Sequence, residues 1–122
     1  MVIPLRLYSL TLNFEKVVTM VKYTLYVGLN DKDTKTQVLD SVECYKIAEN
    51  IIVNDFGGCT IYNAKGIYTH NDGSVVIENT LRIEIIADDN DGAIINTCNA
   101  LKVAFNQECI IVDKTTSNSI FV

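Results

Sequence analysis

Apolar and polar residues alternate from Tyr23 to Leu29. Tyr23, Leu25, Val27 and Leu29 share one face, and Thr24, Tyr26 and Gly28 share the other, so a strand is predicted there. The polar run Asn30 to Gln37 reads as a loop in which Asp33 or Thr34 caps a helix. The apolar stripe of that helix is Val38, Ser41, Cys44, Tyr45, Ala48, Ile51 and Ile52. The helix should stop near Asn54 to Phe56, because Gly57-Gly58 supplies left-handed backbone freedom and sustains helix poorly.

Two strand-like segments follow, CTIYNAKGIYTH and GSVVIENTLRIEIIA, flanking Asn71-Asp72-Gly73. That triplet tolerates positive φ and predicts a type I′ hairpin. In the second strand Val75, Ile77, Asn79, Leu81, Ile83 and Ile85 form the expected core face, while Val76, Glu78, Thr80, Arg82, Glu84 and Ile86 form the opposite one. Asn79 is the polar member of an aliphatic row, so its amide requires hydrogen bonds from backbone, buried water or a ligand. After DDNDG, the residues Ile94, Ile95, Cys98, Leu101 and Phe105 mark a second amphipathic helix, and Cys109 to Val112 a short last strand. The order strand-helix-strand-strand-helix-strand predicts an α+β, ferredoxin-like domain over residues 20–122: an antiparallel four-stranded sheet with two helices on one face. Its other face, with Thr24, Tyr26, Glu78, Thr80, Arg82 and Glu84, is a candidate binding or dimer surface.

Composition narrows the function classes. The chain has 122 residues, 48% of them hydrophobic, with 15 acidic against 10 basic residues and a net charge of −5. Apolar runs such as Cys109 to Val112 fall far short of the roughly 20 residues a bilayer crossing needs, so no membrane segment is expected. An acidic chain is a poor partner for polymeric nucleic acid, which rewards basic faces that release counterions. A small anion needs only a few well-placed cations and amides. Residues 1–19 read as an N-terminal extension in which Arg6, Ser9, Thr11 and Asn13 interrupt the apolar positions and no signal-peptidase site appears. Codons for Lys16, Val17 and Val18 can spell a purine-rich string like a bacterial ribosome-binding site, which makes Met20 the expected start. The alternative is an edge strand using Leu5, Leu7, Leu10 and Leu12.

Catalytic signals are weak. Cys44, Cys59, Cys98 and Cys109 form no C-x-x-C pair and His70 is the sole histidine, so neither a zinc site nor a disulfide framework is expected, and the thiols read as reduced and mostly buried. His70 abuts a turn, where histidines are more often solvated than catalytic. Asn30, Asp31 and Asp33 resemble a fragment of a calcium loop, but the required glycine and bidentate glutamate are missing. The segment reads as a solvated helix entry, with Lys32 and Lys35 as an alternative phosphate contact opposed by its two aspartates. Tyr62, Lys65, Tyr68 and Arg82 combine rings that stack on a nucleobase with cations that pair with phosphate. The bland alternative is cross-strand packing, with Arg82 paired to Glu78 or Glu84. The candidate ligand set is therefore Tyr62, Lys65, Tyr68, Asn79, Arg82 and Lys35, with no catalytic residue, metal or cofactor.

YTLYVGLNDKDTKTQ at 23–37, FGGCTIYNAKGIY at 56–68 and IENTLRIEI at 77–85 together resemble the first-described phage-encoded anti-Thoeris proteins. The resemblance implies a non-enzymatic sponge. Such a protein binds a cyclic ADP-ribose isomer, glycocyclic ADP-ribose, and holds it uncleaved in the cytoplasm of the infected bacterium. It further implies dimer-based homo-oligomers with pockets between protomers, and in some members a second site for cyclic oligonucleotides. Two other classes stay open: a small ferredoxin-like enzyme using Tyr68, His70 or Glu78, and a structural or regulatory dimerisation module.

Overall fold

The structure is a computed structural model and describes residues 17–69 and 71–122. The expectations for His70 and for a strand at Leu5 to Leu12 lie outside the described residues. The elements are β1 (Val17–Gly28), α1 (Ser41–Phe56), β2 (Thr60–Thr69), β3 (Val75–Ala87), α2 (Asp91–Phe105) and β4 (Ile111–Ile120). The strands form one four-stranded sheet in the order β2-β3-β1-β4, with every neighbouring pair antiparallel. Both helices pack on one face, the β-α-β-β-α-β ferredoxin-like topology expected from the hydrophobic pattern.

The core lies between that face and the helices. Tyr23, Leu25, Val27, Leu81, Ile83 and Ile85 meet Cys44, Ala48, Ile52, Ile94, Leu101 and Phe105, and nearly all are sealed from water. Thr97, fully buried on α2, donates its hydroxyl to Asp55 Oδ2 of α1 at 2.5 Å and ties the two helices together. At the start of α2, Tyr23 Oη accepts the Asn90 N–H at 2.9 Å and donates to Asp91 Oδ1 at 3.0 Å, which fixes the helix entry to the centre of the sheet.

Several boundaries differ from the sequence reading. The N-cap of α1 is Asp40, whose side chain accepts the Glu43 N–H at 2.8 Å, rather than Asp33 or Thr34. Asp31 instead accepts the N–H groups of Asp33 and Thr34, and an Asn30–Gln37 bridge closes residues 31–36 into a loop. Val38 consequently precedes the helix and is exposed, as are Ser41 and Tyr45. The helix ends as expected, with Gly57 left-handed at φ 77° and its N–H donating to the Val53 carbonyl. The hairpin turn is not a two-residue type I′. Thr69 pairs with Val75, Asp72 Oδ1 accepts the Ser74 N–H and hydroxyl, and Gly73 takes the positive φ of 87°. Cys44 and Cys98 are buried, but Cys59 is half-buried and Cys109 exposed, because each precedes an edge strand.

The strands are also offset along the sheet. β3 pairs with β1 only between Gly28↔Thr80 and Val21↔Ala87. Beyond Glu78 the β2–β3 hairpin continues to Thr69↔Val75 past the end of β1, and there Ile67, Val75 and Ile77 stand exposed on the face predicted to be core. Beyond Val21 at the opposite end, β1 and β4 continue as a ribbon to Val17↔Ile120, so the last strand is longer than Cys109 to Val112. Val17 to Thr19, placed by the sequence reading in the extension, belong to this ribbon. No helix among the described residues is long and apolar enough to cross a membrane.

Candidate functional site

The sheet face away from the helices is organised in cross-strand rows. Tyr62, Arg82, Tyr26 and Ile111 form one row, directly paired from β2 to β4. The next row along β3 is small: Ala64, Thr80 and Gly28. Gly66 and Glu78 follow, and then Tyr68 and Val76. Because alternate residues point to the same side of a strand, these rows make a shallow trough with a floor of Ala64, Gly66, Thr80 and Gly28. Aromatic side chains stand at both ends, and Tyr62 and Tyr68, six positions apart, span about 20 Å along β2. Thr80 is buried within the floor.

Glu78 is held in this trough by backbone. Its Oε2 accepts the Asn30 N–H at 3.0 Å. The carboxylate lies over Gly28, where an added Cβ would fall 2.3 Å from Oε1, so a side chain at this position competes with the carboxylate for the same space. Gly66 serves the neighbouring row in the same way, since a Cβ there would come within 2.7 Å of Thr80 Oγ1. Burial pushes the Tyr68 hydroxyl above its ordinary value, and the nearby Glu78 and Cys109 add to the shift.

At the other end of the trough Arg82 stacks on Tyr62, its guanidinium carbon 5.3 Å from the ring centroid. Glu84 joins them, with Oε2 3.0 Å from Arg82 Nη2 and Oε1 accepting the Tyr62 hydroxyl at 3.1 Å. Of the two partners the sequence allowed Arg82, the ion pair is with Glu84.

The six candidates thus fall into three places. Tyr62, Arg82 and Tyr68 share the trough. Lys65 and Asn79 pair across the helix-side face, where Lys65 Nζ donates to Asn79 Oδ1 and Asn79 Nδ2 donates to Gln37 Oε1 at 2.8 Å. Lys35, with φ 61°, stays on the β1–α1 loop and donates its ammonium to the Lys32 carbonyl at 2.5 Å. The amide of Asn79 is thereby satisfied by side chains, and its backbone carbonyl accepts the Leu29 N–H at 2.9 Å. The sequence reading placed Tyr26, Glu78 and Glu84 on this candidate face but outside the ligand set, and gave Gly28 no role; that role becomes visible only once the β1–β3 register is known.

Among the described residues no three His, Cys, Asp or Glu side chains gather as a metal site. Burial pushes the Cys44, Cys59 and Cys98 thiols upward, away from the thiolate form that attacks or ligates. The Asp31 carboxyl is held below its ordinary value by the Thr34 N–H first, then by the Asn106 amide and the Asp33 N–H. The Asp31 carboxylate is thus occupied by protein donors from its own loop and from Asn106.

No family model and no curated protein matches the sequence. Solved structures do match in fold. A phage SAM lyase in complex with S-methyl-5′-thioadenosine aligns at 21% identity over 84% of this chain and 90% of that one, with a TM-score of 0.59. CutA from Synechococcus elongatus aligns at 11% identity over 88% and 85%, with a TM-score of 0.55. A PII-like protein, CPII from Thiomonas intermedia, bound to ADP, AMP and bicarbonate, aligns at 11% identity over 85% and 96%, with a TM-score of 0.51. At these identities the likeness is one of ferredoxin-like fold.

Proposed function

We propose that this chain binds an adenosine-bearing small molecule in the trough of the open sheet face, and that its ligand is a sulfonium nucleoside of the S-adenosylmethionine class, cleaved at a carbon–sulfur bond. The observation that carries this reading is Glu78, a carboxylate pinned by the Asn30 N–H over a glycine floor beside Tyr68. The face bears Glu78, Glu84 and Asp113 against Arg82 and Lys22, and Arg82 already has Glu84 as its counter-ion. That balance favours a ligand with a cationic centre over a bisphosphate. The fold relationship supports the adenosine part, since one similar protein holds S-methyl-5′-thioadenosine and another ADP and AMP. In the proposed reaction the substrate's own α-carboxylate oxygen attacks its γ-carbon as the carbon–sulfur bond breaks; the bond's electron pair passes to sulfur, leaving the neutral thioether S-methyl-5′-thioadenosine and a lactone, while Glu78 faces the sulfonium and the aromatic rows take the adenine.

A second reading, sequestration of glycocyclic ADP-ribose without cleavage, is favoured by the Arg82–Tyr62 stack, a platform suited to a base and a phosphate. It accords with the anti-Thoeris-like segments, and with it go a homo-oligomer and action in the cytoplasm of an infected host. One experiment separates the two. Purified protein is incubated with S-adenosylmethionine or with glycocyclic ADP-ribose, desalted, heat-denatured and chromatographed. S-methyl-5′-thioadenosine that disappears in Glu78→Gln establishes the first reading. Intact glycocyclic ADP-ribose, retained through desalting and released by heat, establishes the second. Neither product nor retention overturns both.

A further inference from the structure

Arg82 stands at the centre of the open face, with Tyr62 paired on one side and Tyr26 on the other. Its Nε is buried and finds no acceptor among the described residues. The Nε–H of a guanidinium and the Nη–H beside it form a parallel fork that matches the two oxygens of a single carboxylate or phosphate. Glu84 engages one prong only, Nη2, because its other oxygen is turned to the Tyr62 hydroxyl. A buried donor without an acceptor is unfavourable. The Arg82 side chain keeps 41% of its surface exposed, and an anion that fills both prongs gains the hydrogen bond that Glu84 omits.

We propose that Arg82 is the anion-recognising residue of the trough and Glu84 its built-in competitor, so that the Arg82–Glu84 pair sets which charged group a ligand must carry. A ligand carboxylate or phosphate takes Nε and Nη2 together, and Glu84 withdraws onto the Tyr62 hydroxyl it already accepts from. This inference rests on the open face being the ligand face.

The test is titration calorimetry of the full chain with adenosine, AMP and S-adenosylhomocysteine, which share a nucleoside and differ in bearing no anion, a phosphate or a carboxylate. In Glu84→Gln the affinity for the anionic probe, relative to adenosine, should rise about tenfold. A rise for AMP assigns the fork to phosphate, and a rise for S-adenosylhomocysteine assigns it to carboxylate. Tyr62→Phe should shift the ratio the other way, because it frees Glu84 Oε1 to fill the second prong. Adenosine binding with anion-to-adenosine ratios unchanged in both variants would overturn the role of Arg82 and Glu84 while leaving the ligand face intact. Failure of all three probes to bind the unmodified chain would overturn both.

Discussion

The Glu78 carboxylate occupies the space that a side chain at Gly28 would need, one strand away, and the Asn30 N–H holds it there at 3.0 Å. At the end of the central strand β1, only a residue without a side chain leaves room for this close approach.

Replacing Gly28 by alanine is therefore expected to move Glu78 rather than the sheet. The atoms a Cβ would strike belong to the end of a flexible side chain. The lost backbone hydrogen bond should cost about 1 kcal/mol of stability. Retention of S-adenosylmethionine should fall about tenfold, an equilibrium change of roughly 1.4 kcal/mol. Thermal denaturation and calorimetry on the same preparation measure the two effects. A binding constant unchanged in Gly28→Ala would remove Glu78 from the site.

The offset of the strands makes two residues of the same face unequal. Leu81 is fully buried, whereas Ile77, four positions earlier on β3, is 63% exposed. Leu81→Ala should destabilise by about 2–5 kcal/mol through lost burial and a cavity. Ile77→Ala should lie within about 0.5 kcal/mol of the unmodified chain. Urea unfolding midpoints compare them directly, and equal losses would contradict the observed reach of the helices.

Tyr23 joins the sheet to the start of α2 by hydrogen bonds to Asn90 and Asp91. Tyr23→Phe keeps the ring in the core but leaves the Asn90 N–H without its acceptor. The expected cost is about 1–3 kcal/mol. Hydrogen exchange should show the loss concentrated in the first turn of α2, and exchange unchanged there would argue against the tether.

The same corner predicts a pH dependence. The Asp91 carboxyl is held below its ordinary value, first by the Lys114 ammonium and then by the Tyr23 hydroxyl. Lys114 is pushed upward by Asp89 first and then by Asp91. A carboxyl depressed on folding contributes stability above its unfolded pKa of about 4 and loses it as the pH falls through the folded value. A raised lysine contributes fully below its unfolded pKa, about 10.4, and loses its contribution only as the pH rises through the still higher folded value. The difference in Tm between the unmodified chain and Lys114→Gln should thus stay level across neutral pH and shrink below about pH 4. Salt should reduce it, since the groups are exposed. A difference that grows on acidification would reverse the assignment.

The order of elements was legible because each relies on a local signal: alternation in β1 and β3, a stripe in each helix, and glycines at Gly57 and Gly73. What a period cannot convey is how far a neighbour reaches. Val75 and Ile77 carry the parity of core residues, yet lie past the last residue of β1 that could place them under a helix. Asp40 rather than Asp33 caps α1 because Asp31 organises the preceding loop first, a choice between similar side chains made by tertiary contact with Asn106. The site was half legible for a related reason. Tyr62, Tyr68 and Arg82 follow from parity within β2 and β3, whereas Lys65 has the opposite parity to Tyr62 and so belongs to the other face. Gly28 acquires its meaning only from the cross-strand register.

The hairpin overhang gives the trough walls of different stiffness. Arg82 and Tyr62 sit where β3 is paired on both sides and its alternate residues are sealed under helices, so this wall opens only with the whole domain. Tyr68 sits past the end of β1, where β2 and β3 pair only with each other among the described strands, an arrangement with less stability of its own. On the reading proposed above, the ligand's grip is expected to be firmer at the Arg82 end than at the Tyr68 end.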